Sequence, residues 1–148
     1  MKKLLKLDDF IIKKLNVEWF SKEESPDLPK ENPYIDFDIS RNIDNKRQYS
    51  VLLMVSSYAE SSDKSKIFIS VDIIGFFTFY EDATEEEMKN TIALNGLIIL
   101  YGLIRGQLAS STGAFPCGKY VLPSVYMEEI IPKVIERKKK KSKKRKLK

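Results

Sequence analysis

The chain contains no histidine and a single cysteine, Cys117. One cysteine excludes a disulfide framework, and the two scarcities together exclude almost every structural zinc site. Without imidazole there is no histidine general base, so Ser110, Ser111 and Thr112 ahead of Gly113 have no partner to make a nucleophile of them. Glycine-rich phosphate loops are missing too. The most apolar run, Ile92 to Ile104, is broken by Asn95 and Gly96. It falls short of the ~20 residues a membrane-spanning helix needs. The opening MKKLLKLDDF is charged throughout and lacks the apolar centre of a signal peptide. These absences suggest a soluble, cytoplasmic protein that is not an enzyme and takes no metal or cofactor.

The net charge of +5 over 148 residues conceals a division. Ten of the 26 lysines and arginines lie between Arg137 and Lys148, where there is no acid, so residues 1–136 hold 16 bases against 21 acids, a net −5. An acidic body, 1–136, thus precedes a basic tail, 137–148. Like charges repel and nothing apolar is present to collapse, so the tail is expected to be disordered. Such a tail could hold RNA, a ribosome or an anionic surface nonspecifically. No aromatic residues interleave its lysines, as base stacking would require.

The body is patterned. Residues 10–20 read as a strand with a phase slip near Lys13–Lys14. After a polar, proline-rich loop, YIDFDIS alternates Ile35, Phe37 and Ile39 with Asp36, Asp38 and Ser40, a half-buried strand. A third strand, YSVLLMVSSY, and a turn, ESSDKSK, lead to a fourth, IFISVDIIGFFTFY. Thr84 followed by Glu85, Glu86 and Glu87 is a capping box opening a helix that runs to about Ser111, with a kink expected at Asn95–Gly96. An irregular stretch, GAFPCGKYVLP, precedes a short helix beginning near Pro123–Ser124, which Pro132 should interrupt. Strands first and helices after suggest an α+β fold with a four-stranded antiparallel sheet, a long kinked helix and a short C-terminal helix.

Two elements are apolar on more faces than one layer can cover. The fourth strand has Ile67, Ile69, Val71 and Ile73 on one side but Phe68, Ser70, Asp72 and Ile74 on the other. The long helix is apolar around its circumference, with Gly102, Gly106 and Ser110 following Ile98 at four-residue intervals. Small residues in such a row let another helix approach closely. An interface between copies of the chain is therefore expected on Phe68, Ser70, Asp72, Ile98, Gly102, Gly106 and Ser110.

The order and local motifs of these segments resemble the SecB family of export chaperones. FIIKKLNVEWFS, NPYIDFDIS, the hairpin ending GFFTF, ALNGLIILYGLIRGQLASSTGAFP and VLPSVYMEEI are similar to successive parts of that family, spanning about Phe10 to Ile131. The resemblance implies a homotetramer built as a dimer of dimers. It implies an ATP-independent holdase that keeps unfolded polypeptides, or preproteins bound for export, in apolar surface grooves. The groove positions it implies are Ile35, Phe37, Ile39, Phe115, Val125, Tyr126 and Ile130, with Tyr120 and Leu122 in the same loop. Apolar burial, worth roughly 25 cal/mol per Å², makes no demand on client sequence, and an extended client can also add a strand to a sheet edge. The sequence departs from the family where its partner ATPase, SecA, docks on an acidic sheet face. Asp72 is the sole acid beside Phe68 and Ser70, which argues against SecA docking. The basic tail has no family counterpart. Other members of the family guard aggregation-prone antitoxins, and that role is compatible with this sequence. A further alternative is an RNA- or ribosome-associated protein acting through its tail.

Overall fold

The computed structural model describes residues 3–116 and 118–146; Cys117 lies outside them. Four strands, β1 (Leu5–Phe20), β2 (Tyr34–Arg41), β3 (Gln48–Glu60) and β4 (Lys66–Phe79), form one antiparallel sheet in the order β1-β4-β3-β2. Two helices follow, α1 (Glu85–Ser111) and α2 (Met127–Lys146). The α+β architecture is the one its patterning suggests. The register of β1 against β4 shifts between Ile12 and Lys14, at the phase slip, and again between Leu7 and Asp9. An extra residue at each shift keeps Leu5, Leu7, Phe10, Ile12, Leu15, Val17 and Trp19 on the same face.

The core lies between that face and the helices. Val51, Leu53, Val55, Ile67, Ile69, Val71, Ile73, Phe77 and Phe79 are buried there. From α1 come Met88, Ile92, Leu97, Leu100, Ile104 and Leu108. Truncating one such side chain, Leu100→Ala for example, removes contacts worth about 2–5 kcal/mol. One glycine is required by the close fit, and a second lies at ordinary contact distance. A Cβ at Gly75 would stand 2.7 Å from Leu100 Cδ2, and one at Gly96 would stand 3.4 Å from Val51 Cγ2. Gly96 is thus a point of contact with the sheet, and the helix runs unbroken through it.

Thr84 caps α1 as its sequence indicates. Thr84 Oγ1 accepts from Glu87 N at 3.1 Å, and Glu87 Oε1 accepts from Thr84 N at 3.1 Å. At 27 residues α1 is long and apolar enough, by length and composition, to cross a bilayer, beyond what the interrupted run Ile92–Ile104 suggests. Here it lies along the sheet.

The C-terminal region corrects two expectations. Pro132 sits inside α2 without ending it, and the basic segment expected to be disordered is helical through Lys146. Pro132 removes one backbone donor at an exposed position, which water can compensate. Lysine and arginine are good helix formers, and the cations of the last turn suit the negative end of the helix dipole. Arg137 and Lys138 also find partners on β2, described below.

Candidate functional site

The positions proposed for a peptide groove gather around β2 and the loop that joins α1 to α2. That loop is pinned to α1. Tyr101 Oη donates to Pro123 O at 2.5 Å, Arg105 Nε donates to Leu122 O at 3.0 Å, and Tyr120 N donates to Thr112 Oγ1 at 2.6 Å. Pinning carries Tyr120 and Leu122 inward, and both are buried. Ile35, 2% exposed, and Phe37 are buried as well. In the single chain these four are therefore core residues, not the floor of an open groove. Odd-numbered residues of β2 point at the helices, and α2 covers them. Ile39, Phe115, Val125 and Ile130 are partly buried against the same core. Tyr126, 74% exposed, is the one groove position that stands free.

A chain of polar groups, buried at Ser57 and Tyr120 and reaching the surface at Asn32, ties the α1–α2 loop to the β1–β2 connection. Asn32 Oδ1 can only accept, so Ser57 Oγ donates to it at 2.6 Å, and the Ser57 oxygen then accepts from Tyr120 Oη at 2.5 Å. Asn32 Nδ2 donates to Tyr58 O at 2.8 Å, and Asn32 Oδ1 accepts from Tyr58 N at 3.1 Å. Burial pushes the Tyr120 phenol above its ordinary pKa, against a smaller opposing effect of the Ser57 bond. Burial likewise raises Tyr101. Both remain neutral hydroxyls.

An apolar cleft of about 560 Å³ opens beside this network, between the β1–β2 connection and the sheet face turned away from the helices. Leu28, Pro29, Tyr34 and Phe68 line it together with Ser56 and the charged residues Asp27, Lys30, Glu31 and Arg137. Sequence reasoning missed Leu28, Pro29 and Tyr34. Leu28 and Pro29 are apolar within an otherwise polar loop, a signal that could have marked them.

The expected interface residues fall into two separate places. Phe68, Ser70 and Asp72 share the outer sheet face, where β1 supplies Glu18, Asn16 and Lys14 opposite them. Ile11, half-exposed, and Phe76 extend that face. Ile98, Gly102, Gly106 and Ser110 form one row on the solvent side of α1. Ile98 is 48% exposed, and nothing lies within 4 Å of a Cβ built on Gly102 or Gly106. The two groups lie on opposite sides of the molecule. A third apolar strip, unforeseen in the sequence, is the helix-side face of β1. Phe10, Leu15 and Trp19 stay well exposed there because β1 reaches past the helix layer.

The acids of β2 are not isolated. Lys138 Nζ lies 2.8 Å from Asp38 Oδ1 and 3.8 Å from Asp36 Oδ1. Among the described residues no group of three or more histidine, cysteine, aspartate or glutamate side chains is placed to hold a metal.

No protein-family model matches the chain. A Methanocaldococcus jannaschii protein, uncharacterised, is 22% identical over 134 residues, 89% of this chain and 85% of that protein. The solved SecB-like chaperone Rv1957 of Mycobacterium tuberculosis, in complex with a ChAD peptide from the Rv1956 HigA1 antitoxin, superposes with a TM-score of 0.52 at 17% identity, covering 82% of this chain and 91% of that one. A Streptococcus agalactiae protein of unknown function also superposes, with a TM-score of 0.52 at 10% identity over 83% of this chain and all of that one. The fold is thus shared with a SecB-like chaperone.

Proposed function

We propose that this protein is an ATP-independent holdase, capturing extended apolar segments of unfolded polypeptides or preproteins around β2, the β1–β2 connection and the start of α2. The observation that carries the reading is the apolar cleft beside the edge strand, lined by Leu28, Pro29, Tyr34 and Phe68, in a fold shared with a chaperone solved with a bound peptide. Exposed apolar residues of the α1–α2 loop, Val121 and Tyr126, offer further contact surface. Such burial is non-directional, which suits varied clients. The working form is a cytoplasmic homotetramer that needs neither metal nor cofactor and does no chemistry. Delivery for export is part of this proposal, without SecA docking on the sheet face.

A narrower version, a dedicated guardian of an antitoxin, draws support from the antitoxin peptide bound by the Mycobacterium tuberculosis neighbour. The tail-driven alternative, binding to RNA or the ribosome, draws support from the exposed lysines beyond Lys138.

Gel filtration with light scattering tests the main reading, using reduced, carboxymethylated α-lactalbumin as a permanently unfolded client. The protein should co-elute with it and ignore native α-lactalbumin. Tyr126→Asp changes an exposed side chain and should weaken capture ~5-fold, about 1 kcal/mol, with a melting temperature no lower than wild type, because residue 126 precedes α2 and aspartate caps a helix well. Unaltered capture by the folded variant removes the start of α2 from the client site. Failure of the wild-type protein to capture the client overturns the holdase reading.

A further inference from the structure

β2 is an edge strand, and the direction of its backbone groups can be derived. Asn42 N donates to Gln48 O at 2.9 Å, one step beyond the Arg41–Tyr49 pair that ends the β2–β3 ladder. Antiparallel ladders alternate bonded and non-bonded pairs. Even-numbered residues of β2 therefore bond to β3, and Ile35, Phe37 and Ile39 turn their N–H and C=O groups to the free edge. An open edge of this kind is a template for another strand.

Two neighbouring residues of α2 occupy it instead. Arg137 Nη2 donates to Ile35 O at 2.5 Å, and Lys138 Nζ donates to Phe37 O. The Asp36 carboxylate accepts from Phe37 N at 2.9 Å. The Arg137 guanidinium lies 4.4 Å above the Tyr34 ring centroid and 3.7 Å from a Glu31 carboxylate oxygen. Lys138 lies 4.9 Å from the Phe37 ring centroid. Charge on one element thus meets charge and backbone acceptors on the other, and Arg137 also forms a wall of the apolar cleft.

The clasp is made to be reversible. Asp38 and Glu31 are well exposed, so their ion pairs are screened by water and salt. Past Lys138 the helix carries like charges four residues apart, Lys139 with Lys143, Lys140 with Lys144 and Lys141 with Arg145, which work against helicity. We propose that Arg137 and Lys138 form a salt-sensitive latch that closes the β2 edge, and that its release frees Ile35–Ile39 to pair with an extended client. This rests on the holdase reading and adds its regulation.

Hydrogen exchange and client binding, measured on the full chain, test it together. Arg137→Ala/Lys138→Ala should speed amide exchange across α2, although alanine favours helix, and should bind carboxymethylated α-lactalbumin ~3- to 10-fold more tightly at low salt. Wild-type binding should strengthen as salt rises, and the variant should lose that dependence. Lys143→Ala/Lys144→Ala removes equal charge farther along but relieves two like-charge pairs, so its α2 exchange should be no faster and its client binding no tighter than wild type. Unchanged α2 exchange in the latch variant overturns the latch. Faster exchange without tighter binding overturns the edge as the client's seat. If no form binds the client, the holdase reading fails, and the exchange data still report whether the latch exists.

Discussion

The hydroxyls of Tyr101 and Tyr120 show how single groups hold a loop in place. Each is buried and donates inward, to Pro123 O and to Ser57 Oγ. Their pKa values are raised in the fold by burial, whereas in the unfolded chain a phenol titrates near 10. Below about pH 10 both states keep the proton and stability is full. Above it the unfolded chain ionises first, so stability should fall as pH rises. Denaturant titrations between pH 8 and 11 should show that decline in the wild type and a flatter profile in Tyr101→Phe/Tyr120→Phe. At pH 8 the double variant should be less stable by about 1–3 kcal/mol, chiefly because Ser57 and Pro123 lose partners. None of this network was legible in the sequence. Asn32, Ser57 and Tyr120 are far apart in the chain, and no local pattern links them. The capping box at Thr84 and Glu87 was legible, because its partners stand three residues apart.

At the scale of elements, local rules gave way where tertiary contacts outweighed them. The alternation of β2 and the two-sided apolar pattern of β4 were both read correctly as strands. The inward face of β2, however, was read as open groove, since its sequence cannot say that α2 lies above it. The basic tail was read as disordered because composition weighs repulsion and not the anchors at Ile35 and Phe37. Pro132 was read as a break, yet α2 passes through it. Replacing that proline should therefore stabilise the helix. Pro132→Ala restores a donor toward Glu128 O and is expected to raise stability by about 1–3 kcal/mol, readable as slower exchange across α2. Unchanged or faster exchange would mean that the proline's ring contacts matter more than its missing hydrogen bond.

At the scale of the whole molecule, apolar residues are exposed on three separate faces. The sheet's outer face, the overhanging strip of β1 and the glycine row of α1 are each open. The sequence made this surface visible but not its division into separate faces, which depends on how far the helices reach across the sheet. The row on α1 is the most direct to test. A Cβ at Gly102 or Gly106 meets nothing within 4 Å, and leucine favours helix over glycine, so Gly102→Leu and Gly106→Leu should each fold with a melting temperature no lower than wild type. If copies associate through α1, light scattering should show the assembly fall to a smaller particle. An unaltered mass would move the interface to the sheet or to β1.

The strand order β1-β4-β3-β2 also constrains how the chain comes together in time. β1 is made first, yet its partner in the sheet is β4, the last strand to be made. During synthesis the segment from Leu5 to Phe20, with Ile11, Ile12, Leu15, Val17 and Trp19, waits unpaired while β2 and β3 emerge and form their own hairpin. Closure then spans a long loop and should be the slow step of folding. A nascent copy is thus itself an extended apolar polypeptide until β4 arrives. On the holdase reading, its mature siblings would be equipped to shelter it during that interval.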